Sequence, residues 1–172
     1  LAMGKALAQA AKDSGIRLTI LRTAYLHGGF GQPLQSHQKR FADESIHQSI
    51  DALYKLDAFC AETDDPRITW GFAGHSVRAM RLEELEALCD AFPKKPFHIH
   101  VSEQSKEIQE CLEYNGQTPI ALLDGAGLLD TRTTLVTETH DSLCHRTQAR
   151  EPVSEAQINL DGNLKSYNHS LD

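Results

Sequence analysis

The sequence is poor in aromatic residues and contains no long apolar run. Aromatic side chains make up 6% of its 172 residues, and Trp70 is the single tryptophan. No apolar stretch approaches the roughly 18 residues that a membrane-spanning helix needs. The first residues also lack the basic segment and the apolar segment of a secretory signal. The sequence therefore predicts neither a membrane span nor a secretory signal.

Basic residues are fewer than acidic ones. The sequence has 17 lysines and arginines against 24 aspartates and glutamates, which gives a formal net charge of -7 at pH 7. The pI is about 5.7. Because contacts with phosphate need clustered lysine and arginine, this balance argues against nucleic acid as a partner.

The cysteines do not form a recognisable disulfide or metal-binding pattern. The four of them, Cys60, Cys89, Cys111 and Cys144, are widely separated, and no two have the C-x-x-C spacing. Three lie in segments whose pattern predicts helices. We therefore expect reduced thiols and a cytoplasmic protein.

Strand and helix patterns alternate along the first 140 residues, and the pattern then fades. The chain opens inside a helical pattern at Leu1, which suggests that it begins within a longer gene product. No element is assigned to residues 141–172. Helices are predicted over residues 1–14, 43–63, 82–91, 106–115 and from 119 to about 123, and strands over residues 16–25, 68–73, 96–101 and 133–137.

Each predicted strand leads into a polar loop, at residues 25–31, 75–78, 100–104 and 137–140. Alternating strands and helices indicate a parallel α/β sheet. A doubly wound nucleotide-binding sheet would usually carry G-x-G-x-x-G, which is absent. A (β/α)8 barrel places its chemistry on the loops after its strands, which favours a barrel. Because a whole barrel takes about 250 residues, four strands make about half of one.

The stretch from residue 97 to residue 104 is the strongest candidate for an active-site strand. An imidazole and a carboxylate three residues apart, His100 and Glu103, lie where its apolar run ends. Such a pair can supply a metal ligand and a proton shuttle. The alternative is a packed or solvated histidine, because H-x-H is common by chance. Until the strand breaks, alternation sends Phe97, Ile99, Val101 and Glu103 to one face and His98, His100 and Ser102 to the other.

These loops resemble those of formimidoylglutamate deiminases, which belong to the cytosine-deaminase-like branch of the amidohydrolase superfamily. The similarity covers roughly residues 1–140 in the same order and spacing, with a weaker match at residues 135–140. The motifs are residues 15–19 followed by residues 25–31, then His75-Ser76-Val77-Arg78-Ala79, and then His98-Ile99-His100-Val101-Ser102-Glu103-Gln104 with Glu107 following.

The resemblance implies a role for four residues. His100 matches a metal ligand, with zinc as the cofactor, and Glu103 matches the carboxylate that moves a proton between water and the leaving nitrogen. Arg78 matches an arginine that holds a substrate carboxylate, and His75 matches a histidine beside it in the substrate pocket. The implied reaction is hydrolysis of N-formimino-L-glutamate to N-formyl-L-glutamate and ammonia, in histidine degradation.

The sequence also departs from the family. The first-strand H-x-H metal pair of the family would lie before residue 1, and its eighth-strand aspartate ligand after residue 172. Thr137 stands where the family has a sixth-strand histidine, and His140 matches the second histidine of that motif. We therefore expect residues 1–140 to be the central part of an amidohydrolase barrel, and residues 141–172 to be a diverged or poorly ordered tail.

Three hypotheses about function follow. The chain is part of a formimidoylglutamate deiminase, or a non-catalytic half-barrel that is a remnant or an interaction module, or part of a related deaminase that acts on another amidine. The third is disfavoured because Arg78 suits an acidic substrate. We expect the chain by itself to be inactive. We also expect it to form homo-oligomers, because a half-barrel leaves two edge strands and an apolar surface uncovered.

Overall fold

Four parallel strands, joined in chain order by helices, form the main sheet of this computed structural model, which describes residues 2–136, 156–158 and 164–166. The last two strands form a separate antiparallel pair. In chain order the elements are α1 (Ala2–Ser14), β1 (Leu18–Ala24), α2 (Ile46–Thr63), β2 (Ile68–Ser76), α3 (Leu82–Ala91), β3 (Phe97–His100), α4 (Ser105–Asn115), α5 (Pro119–Gly125), β4 (Thr133–Val136), β5 (Ala156–Ile158) and β6 (Leu164–Ser166).

The predicted order of helices and strands is confirmed over residues 2–136, and local signals account for most of the boundaries; β5 and β6 lie in the tail, to which the sequence assigns no element. Gly15 follows α1 with a φ of 74°, and Gly116 follows α4 with a φ of 72°. Both are in the left-handed conformation that glycine adopts easily after a helix. The Ser45 side chain accepts a hydrogen bond from the backbone N–H of Gln48, so α2 begins at Ile46. Apart from β5 and β6, the predicted tail lies outside the described residues.

The strand order is that of a barrel segment. Each strand of the sheet pairs with the next one along the chain, in the order β1-β2-β3-β4. A doubly wound sheet would instead reverse its order at a switch point. The fold prediction is therefore confirmed as a parallel α/β sheet of partial (β/α)8 barrel type.

The two faces of the sheet differ in exposure. Along β1 and β2, residues such as Ile20, Trp70 and Phe72 are buried in the core. Thr19 and Thr69, which directly precede Ile20 and Trp70, are exposed on the other face. The buried face packs against the helices, because Phe92 at the end of α3 contacts the rings of Trp70 and Phe72. The opposite face is open to solvent along β1.

An aromatic stack joins the two central strands on the buried face. The rings of Phe72 in β2 and Phe97 in β3 stack with their centroids 5.2 Å apart, and both side chains are fully buried. Burial of a phenylalanine contributes roughly 1.5–3 kcal/mol, and an aromatic pair adds about 1 kcal/mol. This contact fixes β2 beside β3, and the predicted site residues lie at the carboxyl ends of these strands or in the segments that follow them.

The described cysteines are free thiols, as the sequence predicts. Burial raises the pKa of Cys89 to about 12 and that of Cys111 to about 11, so both are protonated at neutral pH. Cys60 is partly buried, and Cys144 lies outside the described residues. No helix in the part of the chain that the structure describes is long and apolar enough to cross a membrane.

We expect a Gly71→Ala substitution to destabilise the sheet. A Cβ atom at Gly71 would lie 2.7 Å from the carbonyl oxygen of Pro96, which accepts the backbone N–H of Phe72. Such overpacking costs about 1–3 kcal/mol. Chemical denaturation followed by circular dichroism measures the change.

The matched control is Gly4→Ala in the interior of α1. A Cβ atom there would meet Ile20 at an ordinary 3.8 Å, and alanine favours a helix over glycine by about 1 kcal/mol. The control should therefore raise the denaturation midpoint. An unchanged midpoint in Gly71→Ala would contradict the close approach of β2 to Pro96.

Candidate active site at the carboxyl ends of β2 and β3

A β-bulge shapes the end of β2. Gly74 is opposite Ile99 and Ser76 is opposite His100, so His75 has no residue opposite it on β3. The sequence prediction that His75 lies in a loop is therefore wrong, because β2 continues to Ser76. Bulges bend a strand and redirect its side chains, and they are frequent beside active sites.

The bulge brings two predicted site residues together. The imidazole rings of His75 and His100 have centroids 5.5 Å apart. The Nδ1 atom of His100 lies 3.0 Å from the backbone carbonyl oxygen of His75. Because a carbonyl oxygen only accepts, Nδ1 is the donor of this contact, and Nε2 is the nitrogen left to offer a lone pair. This orientation is typical of a histidine that binds a metal through Nε2.

The surroundings of His75 favour its neutral form. Burial, followed by the nearby His100 and Arg78, lowers the pKa of His75 from 6.5. The ring of Tyr25 packs edge-on against the imidazole at 4.6 Å, and the Nδ1 atom is 3.1 Å from the Ser76 hydroxyl oxygen. Tyr25 lies in the motif of residues 25–31, but nothing in the sequence predicts that it packs on His75.

The end of β3 follows the predicted alternation only as far as Val101. Phe97, Ile99 and Val101 are buried, as expected for one face of the strand. Ser102 then adopts a positive φ of 53°, which is uncommon for a residue other than glycine. The strand direction changes there, so Glu103 does not continue the buried row.

Arg78 and Glu103, two of the predicted site residues, form an ion pair at this end of the sheet. The Nη2 atom of Arg78 donates to Oε2 of Glu103 at 3.3 Å. A third charged group, Glu107 of α4, lies beside them and is fully buried. Burial raises the pKa of Glu107, whereas Arg78 acts in the opposite direction.

Glu107 follows the motif of residues 98–104, and the resemblance assigns it no function. Its position carried a usable signal, because Glu107 lies next to Ile108 and one turn before Cys111, the other two buried residues of α4. An acidic residue within the apolar stripe of an amphipathic helix is buried at a cost unless it has a partner.

The loops after β1 and β2 meet, as expected for loops at one edge of a parallel sheet. The backbone N–H groups of Leu26 and His27 both donate to the carbonyl oxygen of Ala79. His27 is also within 2.9 Å of the Glu84 carboxylate in α3. A cavity of about 310 Å³ between these loops and α4 is lined by Arg78 but not by the other three predicted site residues.

The described residues fit one zinc ligand and not a complete zinc site. His100 presents its Nε2 atom as a metal-binding histidine would. No group of three or more histidine, cysteine, aspartate or glutamate side chains that could hold a metal occurs among residues 2–136, 156–158 and 164–166. Thr137 and His140 lie outside the described residues.

We expect a His75→Gln variant to lose less stability than the wild type when the pH falls from 7 to 5. In the folded chain the pKa of His75 lies below its ordinary value of 6.5, whereas in the unfolded chain it has that ordinary value. As the pH falls, the unfolded chain therefore takes up this proton first. Stability is therefore lost as the pH falls through this window. Urea midpoints at pH 7, 6 and 5 measure the effect.

The exposed His37 supplies the control for this measurement. His37→Gln removes a histidine in the same way but at an exposed position, so it should keep the pH dependence of the wild type if burial of His75 is the cause. Parallel curves for His75→Gln and the wild type would contradict a neutral, buried His75.

Comparison with known proteins gives relatives in sequence, although no family model matches the chain. It is 34% identical over 136 residues to a formimidoylglutamate deiminase from Pseudomonas aeruginosa, which covers 78% of this chain and 29% of that protein. It is 30% identical over 132 residues to 5-methylthioadenosine/S-adenosylhomocysteine deaminase 2 from Archaeoglobus fulgidus, which covers 76% of this chain and 29% of that protein. The chain thus spans less than a third of the length of these relatives.

Solved structures agree with the sequence relatives. An amidohydrolase from Brucella melitensis matches with a TM-score of 0.71 and 31% identity, over 78% of this chain and 30% of that one. An adenosine deaminase from Xanthomonas campestris with bound zinc matches in fold, with a TM-score of 0.62 and 23% identity, over 83% of this chain and 30% of that one. The chain is therefore similar in sequence to formimidoylglutamate deiminase over 78% of its length, and its fold is that of a partial (β/α)8 barrel of the amidohydrolase type.

Proposed function

We propose that this chain contributes the central strands of a zinc-dependent deiminase that hydrolyses N-formimino-L-glutamate to N-formyl-L-glutamate and ammonia. The observation that carries the proposal is the meeting of Arg78 and Glu103 at the carboxyl ends of β2 and β3, beside a histidine with an available Nε2. In a barrel this edge is where substrates bind.

Each residue has a distinct task in this proposal. His100 would hold zinc through Nε2, together with ligands from outside the described residues. When bound, zinc supplies a water molecule with a pKa near 7, which is a nucleophile at neutral pH. The Glu103 carboxylate would accept a proton from the attacking water and deliver it to the leaving nitrogen, so that ammonia could depart.

Arg78 gives the proposal its substrate preference. A guanidinium can donate two parallel hydrogen bonds to one carboxylate, and N-formimino-L-glutamate has carboxylates to offer. The Arg78 side chain is 26% exposed and Glu103 is 31% exposed, so a ligand can reach both. A substrate carboxylate on Arg78 would compete with Glu103 and release the latter for proton transfer.

A second candidate is deamination of an adenine ring, which is also an amidine. It is supported by the 30% identity to the Archaeoglobus fulgidus deaminase, whose name gives 5-methylthioadenosine and S-adenosylhomocysteine as substrates. The pairing of Arg78 with acids favours the glutamate derivative.

Self-association through the edge strands β1 and β4 stays a prediction from the sequence.

We expect the 172-residue chain to release no ammonia from N-formimino-L-glutamate above background. The described residues supply Glu103, Arg78 and one metal ligand, and groups that act as a unit lose nearly all activity when one is missing. A coupled ammonia assay, with 5-methylthioadenosine as the alternative substrate, tests this. Thr137→His alone should not restore activity.

Two outcomes of the ammonia assay would change the proposal. Ammonia release that Glu103→Gln abolishes would show that the chain already has a complete site. Release from 5-methylthioadenosine alone would favour the second candidate.

We also expect weak zinc binding. Zinc normally takes three or four protein ligands, and His100 is the single one that the resemblance assigns within the described residues. Elemental analysis after dialysis should find well below one zinc per chain, in both the wild type and His100→Ala. A stoichiometric zinc that His100→Ala removes would show that other side chains complete the site.

A further inference from the structure

Glu107 is a buried carboxylate whose hydrogen bonds are incomplete. It lies in the first turn of α4 and is 1% exposed. Its Oε2 atom accepts the backbone N–H of Glu103 at 3.1 Å. Its Oε1 atom is buried and has no hydrogen-bond partner among the described residues. A charged group is rarely placed in such a position without a reason, because burial of an unpaired carboxylate is costly.

Arg78 supplies the nearest opposite charge. Its Nε atom is also buried without a hydrogen bond, and it lies 4.0 Å from Oε2 of Glu107. The Nη2 atom of the same guanidinium reaches Glu103 at 3.3 Å. The Arg78 guanidinium therefore lies between the carboxylates of Glu103 and Glu107. The Glu107 carboxylate also accepts a hydrogen bond from the backbone N–H of Glu103.

Helix capping alone does not account for this arrangement. Glu107 is the third residue of α4, from which a glutamate commonly reaches back to a free backbone N–H, and Gln104 at the N-cap makes no side-chain cap bond. A glutamine oxygen would make that bond equally well. Capping therefore requires an acceptor but not a buried negative charge beside Arg78.

We propose that Glu107 is a positioning residue, which fixes the backbone of Glu103 after the turn at Ser102 and holds the Arg78 guanidinium beside the Glu103 carboxylate. The proton-transfer group and the carboxylate-binding group are then set at a fixed spacing before substrate arrives. The inference rests on the proposed function for the roles of Glu103 and Arg78. The arrangement itself needs neither substrate nor metal.

Nuclear magnetic resonance of the full chain, without substrate or zinc, tests the proposal. Two signals are followed, namely hydrogen exchange of the Glu103 backbone amide and the order parameter of the Arg78 Nε–H group. The variants are Glu107→Gln, which keeps an acceptor of the same shape, and Glu107→Ala, which removes it. Glu110→Gln is the control, because Glu110 lies one turn along α4 and pairs with Lys106 near the surface.

The two functions of Glu107 should separate in these variants. Glu107→Gln should keep the Glu103 amide protected but lower the order of Arg78 Nε–H, since the negative charge is lost. Glu107→Ala should also speed exchange of the Glu103 amide by about tenfold or more, as expected for a hydrogen bond to a charged group. Glu110→Gln should change neither signal.

Three results would overturn the proposal. An unchanged Arg78 signal in Glu107→Gln would reduce Glu107 to a helix cap. Unchanged protection of the Glu103 amide in a folded Glu107→Ala would show that Glu107 does not fix the Glu103 backbone. Global unfolding of Glu107→Gln would show that the carboxylate stabilises the whole fold and is not specific to these two residues. Because no substrate is present, a failure of the proposed deiminase activity would leave these results unaffected.

Discussion

The parallel pairing of β2 with β3 is the interaction on which the candidate site depends. Backbone hydrogen bonds set the register, and the buried stack of Phe72 on Phe97 holds the two strands together on the helix side. Because both strands run in the same direction, their carboxyl ends reach the same edge. His75 and His100 become neighbours there although 25 positions separate them in the chain.

Burial shifts two titratable groups at this edge toward their neutral forms. It lowers the pKa of His75 and raises that of Glu107, since a low-dielectric environment disfavours charge of either sign. Arg78 lowers the pKa of both groups, because its positive charge disfavours the protonated form of His75 and favours the ionised form of Glu107. The guanidinium thus links the histidine side of the site to the carboxylate side.

The type of fold and the proposed choice of substrate rest on different features. The strand order is that of a partial amidohydrolase-type barrel, and the chain is similar to deaminases that are named for different substrates. In the proposed function, Arg78 is the feature that favours an acidic substrate over an adenine ring. Its contact with Glu103 would then couple substrate binding to proton transfer, because the substrate carboxylate and Glu103 need the same guanidinium.

Sequence by itself determined the order of the elements up to β4, because their signals are local. Gly15 and Gly116 mark helix ends by their left-handed backbone conformation, and each lies where the structure ends a helix. The alternation of Phe97 with His98 likewise predicts which face is buried. Motif similarity brought His75, Arg78, His100 and Glu103 to attention as candidates.

Only the tertiary structure decided how those candidates meet. The bulge at His75 depends on the register between β2 and β3. The burial of Glu107 beside Arg78 depends on where α4 docks after the turn at Ser102. These features arise from contacts between distant segments, whose energies no local pattern records, so the sequence could name the residues but not their partners.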